Sequence, residues 1–526
     1  MDDQKLELAR QQMTEGFHSQ IVDSFRGKIT SFAEGHLLAE ACVHLASFNQ
    51  LNQVLDELRS LVEGPEDLVY LTYFQAHLMI NKNAYPEASK LFFDVIHRPS
   101  SPLLLVCKAY YYLGRIYWSY SNLGSLSELL TDLYFHRDNK NHFDPPEEFY
   151  YLGLALISHL ASQEWTQGLT ICQELETLAR QVNNRYWQGI AHFYTGFIFT
   201  NLGSYQESGT SYLTALSLFD EVGNNYEEYR TLNHIIAICH LQGRLREALE
   251  LQKRALNLEK TFDAKKLKKH FRALLATYYY EIGNYQLAAD YQEEVVEAIL
   301  EENRLTNRQP IAVAASIVGL ARILHKQGRL DPKLPVLEIF PTDNSPEVLG
   351  YRHMINAYLA QGKRNYGIAE EEWEKALMSG AISDHGQQLC TEALVELAYK
   401  HWRAEGGDEN LSILEGRLKY WESHSRSYNL IPGLCKVLIL RGKLALSQLN
   451  FNKAEEFLKS CINLSAESGL QLHRKLALRE LKSLYSQQSL LESSFADNSE
   501  NTEKNQIFEF GAYLEDLSRF LNEDST

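Results

Sequence analysis

The segment AHFYTGFIFTNLGSYQESGTSYLTAL (191–216) is followed by two related segments, TLNHIIAICHLQGRLREALELQKRAL (231–256) and FRALLATYYYEIGNYQLAADYQEEVVEA (271–298). One glycine marks the same place in each segment, at equal spacing along the chain: Gly203, Gly243 and Gly283. A fixed period of this size predicts a repeat architecture, in which each repeat is one supersecondary unit.

Each repeat alternates small and large side chains at helical spacing. Small residues in the first segment, which let two helices approach closely, are Gly196, Ser208 and Ala215. Large residues, which fill the space toward the next repeat, are Phe199, Tyr205 and Tyr212. Glycine at position 203 suits the positive φ with which many helices end. We therefore predict an all-α fold, a superhelical solenoid of stacked antiparallel helix hairpins.

Composition excludes several classes of protein. The chain has 526 residues and a formal net charge of −17, which disfavours binding to nucleic acid through phosphate neutralisation. Its seven cysteines are scattered singly, which indicates a reducing compartment and neither disulfides nor structural zinc. The N-terminal residues lack the apolar core of a signal peptide, and no apolar run is long enough to span a membrane. We expect a cytoplasmic protein.

Breaks in the repeat pattern divide the chain into predicted segments. Four prolines within residues 332–346 break the helical pattern and predict a bend. The predicted organisation is N-terminal capping helices (1–34), an N-terminal array (35–331), a Pro-rich connector (332–346), a C-terminal array (347–486), a disordered linker (487–506) and a C-terminal amphipathic helix (507–526). In the last segment, one apolar stripe is formed by Phe510, Tyr513, Leu514, Leu517 and Leu521.

The spacing Y-x-x-L-G-x-x-Y at Tyr110–Tyr117, together with A-x-x-x-F/Y-x-x-A patterns, resembles the tetratricopeptide repeat (TPR) family. The resemblance covers roughly residues 35–470. The long period of the glycines resembles a longer-repeat subclass, found in spindle-orientation adaptors and in sensor arrays of bacterial regulatory ATPases. This resemblance implies a right-handed superhelical solenoid and a protein-binding scaffold.

In that family the first helix of each hairpin lines a concave groove. Carried onto this sequence, the candidate partner-binding residues are Lys108, Tyr111, Tyr112, Arg115, Trp118, Tyr150, Tyr151, Phe193, Tyr194, Phe197, Arg230, Asn233, His234 and His240. Two interpretations of these residues remain. The aromatic side chains either anchor a peptide or pack against adjacent helices of the same chain.

One departure from the family pattern limits the range of ligands that we expect. Co-chaperone members hold a C-terminal carboxylate with a Lys/Asn/Arg clamp. The corresponding positions here are Phe193, Phe197, His234, His270 and Leu274. A heat-shock-protein tail is therefore not the expected ligand.

No catalytic motif is found in the sequence, so we expect no catalytic residues, no cofactor and no metal site. The function predicted from the sequence is a non-catalytic interaction scaffold that holds a peptide or helix of a protein partner. The alternative is a ligand- or peptide-responsive sensor that acts on a separate effector. We expect no membrane insertion, and self-docking or an oligomer contact through residues 507–521.

Overall fold

A computed structural model describes residues 2–25, 29–119, 123–139, 143–262, 265–306, 310–330, 345–380 and 382–496. Within these ranges the chain forms 24 α-helices and no β-strand. Consecutive helices pair through short turns, so the predicted all-α fold of stacked antiparallel helix hairpins is confirmed.

The helices are numbered in chain order. They are α1 (Asp2–Glu15), α2 (His18–Ser24), α3 (Phe32–His44), α4 (Phe48–Leu58), α5 (Pro65–Asn81), α6 (Tyr85–His97), α7 (Leu103–Ser119), α8 (Leu123–Asn139), α9 (Pro145–Ala161), α10 (Trp165–Gln181), α11 (Arg185–Asn201), α12 (Tyr205–Glu221), α13 (Asn225–Leu241), α14 (Leu245–Leu258), α15 (Lys265–Glu281), α16 (Tyr285–Thr306), α17 (Pro310–Lys326), α18 (Pro346–Gly362), α19 (Tyr366–Met378), α20 (Asp384–Glu405), α21 (Asp408–Ser427), α22 (Ile431–Ser447), α23 (Phe451–Ser468) and α24 (Gln471–Ala496). Short 3₁₀ turns follow α4 (Arg59–Leu61) and α14 (Glu259–Thr261).

The constant period of the sequence arises from helices of constant length. Helices α9 to α13 each contain 17 residues, and three turn residues separate each from the next. Helix α14 and its 3₁₀ turn together cover the same length, and α15 again has 17 residues. One helix plus one turn thus makes half of the period, and one hairpin makes the whole. A helix of this length is about 26 Å long.

The turns share one backbone conformation, with a left-handed residue at the centre. Positive φ recurs at equal steps of half a hairpin, at Gln163, Asn183, Gly203, Gly223 and Gly243, and again at Gly283. After α11, the Ser204 N–H donates to Phe199 O at 2.9 Å, and the Gly203 N–H donates to Thr200 O at 3.1 Å. This is the Schellman pattern that closes a helix C-terminus. The sequence shows only the glycine members of this series, because Gln163 and Asn183 adopt the same conformation with a side chain.

Close helix contact occurs where the sequence predicts it. A methyl group on Gly196 of α11 would lie 2.8 Å from the ring of Tyr212 on α12. Ser208 is fully buried, and its hydroxyl donates to the Gly196 carbonyl at 2.7 Å. Glycine at position 196 is therefore needed for the approach of the two helices.

The described residues separate into two compact units. The first comprises those within 1–238, 247–271 and 301–309. The second comprises those within 239–246, 272–300 and 310–526. Helix α17 belongs to the second unit, whereas the sequence places residues 311–331 in the N-terminal array.

In the first unit, α1 and α2 contact helices far along the chain. The Asn184 side chain donates to Thr14 O at 2.7 Å, and the Ser19 hydroxyl donates to Val222 O at 2.8 Å. Helices α1 and α2 therefore contact the turns before α11 and α13 as well as the neighbouring helix α3. The contacts with these two turns are not part of the prediction of N-terminal capping helices.

The structure corrects one boundary and leaves two predictions untested. Helix α24 continues to Ala496, so the first ten residues of the predicted linker at 487–506 are helical and the predicted end at 486 is wrong. Most of the predicted connector at 332–346 lies outside the described residues. The predicted helix at 507–526 lies outside them entirely.

Candidate functional site

Most of the candidate groove residues are covered by other parts of the chain. Eight are buried: Lys108, Tyr111, Tyr112, Tyr150, Phe193, Tyr194, Asn233 and His240. Six are partly exposed: Arg115, Trp118, Tyr151, Phe197, Arg230 and His234. The partly exposed residues define where a partner could reach this face.

Two of the fourteen residues pack against rings outside the candidate set. The His240 ring, in the second unit, stacks at 6.3 Å on Tyr278. The Tyr151 ring lies 6.1 Å from that of Phe143, the residue two positions before α9. Ring and cation–π contacts connect most of the other candidates into a network.

One part of this network is a buried polar cluster, made of His18, Glu40, His44 and Lys108. The Lys108 ammonium on α7 pairs with the Glu40 carboxylate on α3. His44 Nε2 lies 3.8 Å from the same carboxylate, and its ring stacks at 4.1 Å on His18 of α2. All four side chains are nearly inaccessible to solvent.

Ion pairing holds this cluster together. Burial alone would raise the pKa of Glu40, but the Lys108 charge and the His44 hydrogen bond hold that pKa far below its usual range. Burial lowers the pKa of His18 well below its ordinary value, and the nearby His44 lowers it further. The charges of the cluster are thus paired with one another and hold α2, α3 and α7 together. Sequence periodicity does not reveal this cluster, since Glu40 and Lys108 are far apart in the chain.

A second part, the arginine–aromatic cluster, holds most of the partly exposed residues. It comprises Arg115 and Trp118 on α7, Phe193, Tyr194 and Phe197 on α11, and Arg230, Asn233 and His234 on α13. Trp118 lies 5.9 Å from Phe197, and Phe193 lies 5.0 Å from His234, both edge to face. The three helices therefore share one aromatic surface.

Two arginines belong to this surface. The Arg230 guanidinium lies 3.9 Å from the centre of the Phe193 ring, and the Arg115 guanidinium lies 5.8 Å from that of Tyr111. Although burial alone would lower it, the pKa of Arg115 is raised well above its usual value by the surrounding tyrosines, with Tyr111 first among them. Arginine on an aromatic surface is well suited to recognise a planar acceptor such as a carboxylate, because its guanidinium can donate two parallel hydrogen bonds.

Hydrogen bonding is incomplete at Arg230 and Asn233. Arg230 Nε approaches Glu227 Oε2 to 2.8 Å, yet the two atoms are misaligned and neither makes a hydrogen bond within the described part of the chain. Arg230 Nη2 also lacks a partner among the described residues. One turn further along α13, Asn233 is 6% exposed, and no described group pairs with its amide nitrogen or its amide oxygen. Buried polar groups are seldom left unsatisfied in folded proteins, and such exceptions often occur at functional sites.

The second unit also contains polar atoms without a hydrogen-bond partner among the described residues, such as Arg441 Nε and Trp373 Nε1. Its buried charges around Arg322, however, pair with one another. Arg322 lies 3.6 Å from Glu281 and 3.9 Å from Glu392, and Lys436 lies 2.6 Å from Glu392. A cavity of about 110 Å³ beside Arg322 suits a few water molecules rather than a peptide. The arginine–aromatic cluster of the first unit is therefore the better candidate site.

The described ranges contain no group of three His, Cys, Asp or Glu side chains that could hold a metal ion. No helix in the part of the chain that the structure describes is long and apolar enough to cross a membrane.

Comparison with known proteins gives structural matches only. No family model and no curated protein matches the sequence. NprR in complex with its cognate peptide NprX matches 73% of this chain and 98% of its own, with 15% identity and a TM-score of 0.41. Rap protein complexed with competence and sporulation factor matches 87% and 98%, with 10% identity and a TM-score of 0.37. The human IFIT1 dimer with PPP-AAAA matches 87% and 95%, with 15% identity and a TM-score of 0.38.

Proposed function

We propose that this protein is a non-catalytic interaction scaffold that holds a peptide or helix of a protein partner against the arginine–aromatic cluster. The partner supplies an acidic side chain to Arg230. It also supplies hydrogen-bonding groups to Asn233, whose amide can donate and accept at once. Trp118 and Phe197 provide the apolar contact surface.

The observation that carries this proposal is the unsatisfied hydrogen-bonding capacity of Arg230 and Asn233 among the described residues. It occurs on consecutive turns of one helix, beside aromatic side chains that are partly exposed. A bound partner would satisfy these groups and cover the rings. We also place the protein in a reducing compartment, the cytoplasm, because all seven cysteines are buried free thiols.

Affinity capture from lysate of the source cells, followed by mass spectrometry, tests the proposal. The bait carries Trp118→Ala and Phe197→Ala, and the matched control is Trp402→Ala, a partly exposed tryptophan on α20 of the second unit. We expect specific partners to be lost from the double variant and retained by the control. Equal recovery by both folded baits would contradict the site.

One observation favours the alternative of a ligand-responsive sensor. Helices α1 and α2 cover part of the interior of the first unit, which also contains the arginine–aromatic cluster. His18 of α2 packs there against both His44 and Tyr186. A ligand that enters this interior would displace α1 and α2. The displacement would change a surface that an effector could recognise. Hydrogen exchange separates the two functions. A sensor predicts faster exchange in residues 2–24 upon partner binding, whereas a simple scaffold predicts no change there.

A further inference from the structure

Helix α24 has the position of a first hairpin helix, without a described second helix beside it. Its start at Gln471 follows the start of α22 at Ile431 by one full hairpin period, so the two helices correspond residue by residue. Helix α22 is covered by α23. The Cys461 thiol on α23 contacts the Cys435 carbonyl at 3.5 Å, and a methyl group on Gly442 would lie 2.9 Å from Leu458.

Corresponding positions on the two helices differ sharply in exposure. On α22 the positions that face α23 are all buried: Cys435, Leu438, Gly442 and Ala445. Their counterparts on α24 are all exposed: Lys475, Leu478, Lys482 and Tyr485. Leu478 is 45% exposed and Tyr485 is 44% exposed, whereas Leu438 and Ala445 are 5% and 6% exposed. The Tyr485 hydroxyl donates to Glu455 of α23 at 2.6 Å. Apart from this contact at its edge, the α24 face has the form of a hairpin interface that no described helix covers.

Leu478, Leu481 and Tyr485 form an apolar strip on this face, beside Lys482, Ser486 and Ser489. All six residues belong to α24, so the cleft that they line is shallow and open to solvent. In the preceding hairpin, the corresponding face of α22 is covered by α23.

We propose that residues 507–521 of the same chain form a helix that packs into this cleft and completes the hairpin. The sequence continues from α24 through residues 497–526. Its stripe of Phe510, Tyr513, Leu514, Leu517 and Leu521 has the period of one helix face. Tyr485 lies eleven residues before the end of α24, about 17 Å along the helix, and a ten-residue connection can span about 33 Å. The segment can therefore reach back along α24.

Charge supports this choice of occupant. Lys475 and Lys482 lie seven residues apart along one edge of the cleft and are exposed. Residues 507–526 contain five acidic residues and one basic residue, and two of the acids within the proposed helix lie along one edge of the apolar stripe at the same spacing: Glu509 and Asp516. An acidic helix on a basic rim gains favourable electrostatic energy, whereas a second copy of α24 would bring lysine against lysine.

Hydrogen exchange with mass spectrometry on the full chain tests the proposal. The variants are Leu478→Asp in the cleft and Leu517→Asp in the segment. The matched control is Leu213→Asp, which replaces a leucine that is 55% exposed on α12. We expect amides of 507–521 to be protected in the wild type at protein concentrations 100-fold apart. We expect each cleft or segment variant, but not the control, to reduce that protection at least tenfold. Protection within α22 reports that the variants remain folded.

Each other outcome overturns the proposal. Rapid exchange of 507–521 in the wild type means that the segment is not docked. Protection that survives Leu478→Asp means that it docks elsewhere. Protection that disappears on dilution means that the occupant is a second copy. These results are independent of the partner-binding site, because neither variant lies in the arginine–aromatic cluster.

Discussion

Asn233 is the residue whose environment is hardest to explain by folding alone. Burying an amide without hydrogen bonds costs stability, and a leucine of similar size would fill the same space without that cost. A polar side chain kept at such a place is consistent with a role in binding, where stability and function often conflict.

Replacing Asn233 with Leu should therefore stabilise the free protein and weaken partner capture. The expected gain is about 1–3 kcal/mol in the free energy of unfolding, since two unsatisfied polar atoms are removed. Urea denaturation and partner recovery measure the two effects. Loss of stability together with loss of binding would indicate an ordinary structural residue instead.

Removing one member of the pair of Glu40 and Lys108 should lower stability, in contrast to Asn233→Leu, because the two charges neutralise each other. Lys108→Met leaves a buried carboxylate alone and should cost about 3–5 kcal/mol of stability. Glu40→Leu combined with Lys108→Met should recover most of that loss. Denaturation of the single and double variants measures the coupling, and additive losses would argue against a buried pair.

Buried histidines should make stability depend on pH. Burial lowers the pKa of His473 to about 4, below the value of about 6.5 in the unfolded chain. The folded state thus binds fewer protons between these values, so stability is lost as pH falls from about 6.5 toward 4. At pH 5 the loss from this one group is about 1–2 kcal/mol. His473→Gln should flatten the pH profile measured by denaturation, and an unchanged profile would contradict the assignment to this residue.

At the scale of elements, helices of equal length joined by short turns set the repeat. The sequence predicts the turns at Gly203, Gly243 and Gly283 because glycine is the residue that adopts positive φ without strain. It does not reveal the turns at Gln163 and Asn183, where the hydrogen bonds of the helix end impose the same conformation.

The turns predict a pair of opposite effects on stability. Gly203→Ala places a Cβ at φ +72° and should cost about 1 kcal/mol. Gln163→Gly relieves strain at φ +59° and should give a smaller gain, because glycine also adds entropy to the unfolded chain. Thermal denaturation measures both. A gain from Gly203→Ala would exclude the proposed role of the left-handed turn.

Element ends are where the sequence prediction failed most clearly. Residues 487–496 are polar and rich in serine and glutamine, which favours a linker, yet they continue α24. An established helix extends by one hydrogen bond per residue, so a helix can propagate through residues of modest propensity.

At the scale of the whole molecule, periodicity predicted the fold but not which groove residues are accessible. The repeat places Tyr111, Tyr150 and Phe193 on first helices, as expected, and each is buried there by side chains from other helices. Contacts such as Tyr111 with Trp187, or His18 with Tyr186, join residues that are far apart in the sequence. Local spacing contains no information about such contacts. The accessible subset, including Trp118, Phe197 and Arg230, became visible only with the packing.

The central claim is that a partner binds the arginine–aromatic cluster through an acidic group. Selection of a random peptide-display library against the wild-type protein, followed by fluorescence anisotropy of the enriched peptides, tests it most directly. We expect the peptides to carry a carboxylate beside apolar residues. We expect them to bind at least tenfold more weakly to folded Asn233→Leu and Arg230→Gln variants, with full affinity for Trp402→Ala. Peptides that bind all four proteins equally would place the binding site elsewhere and contradict the account.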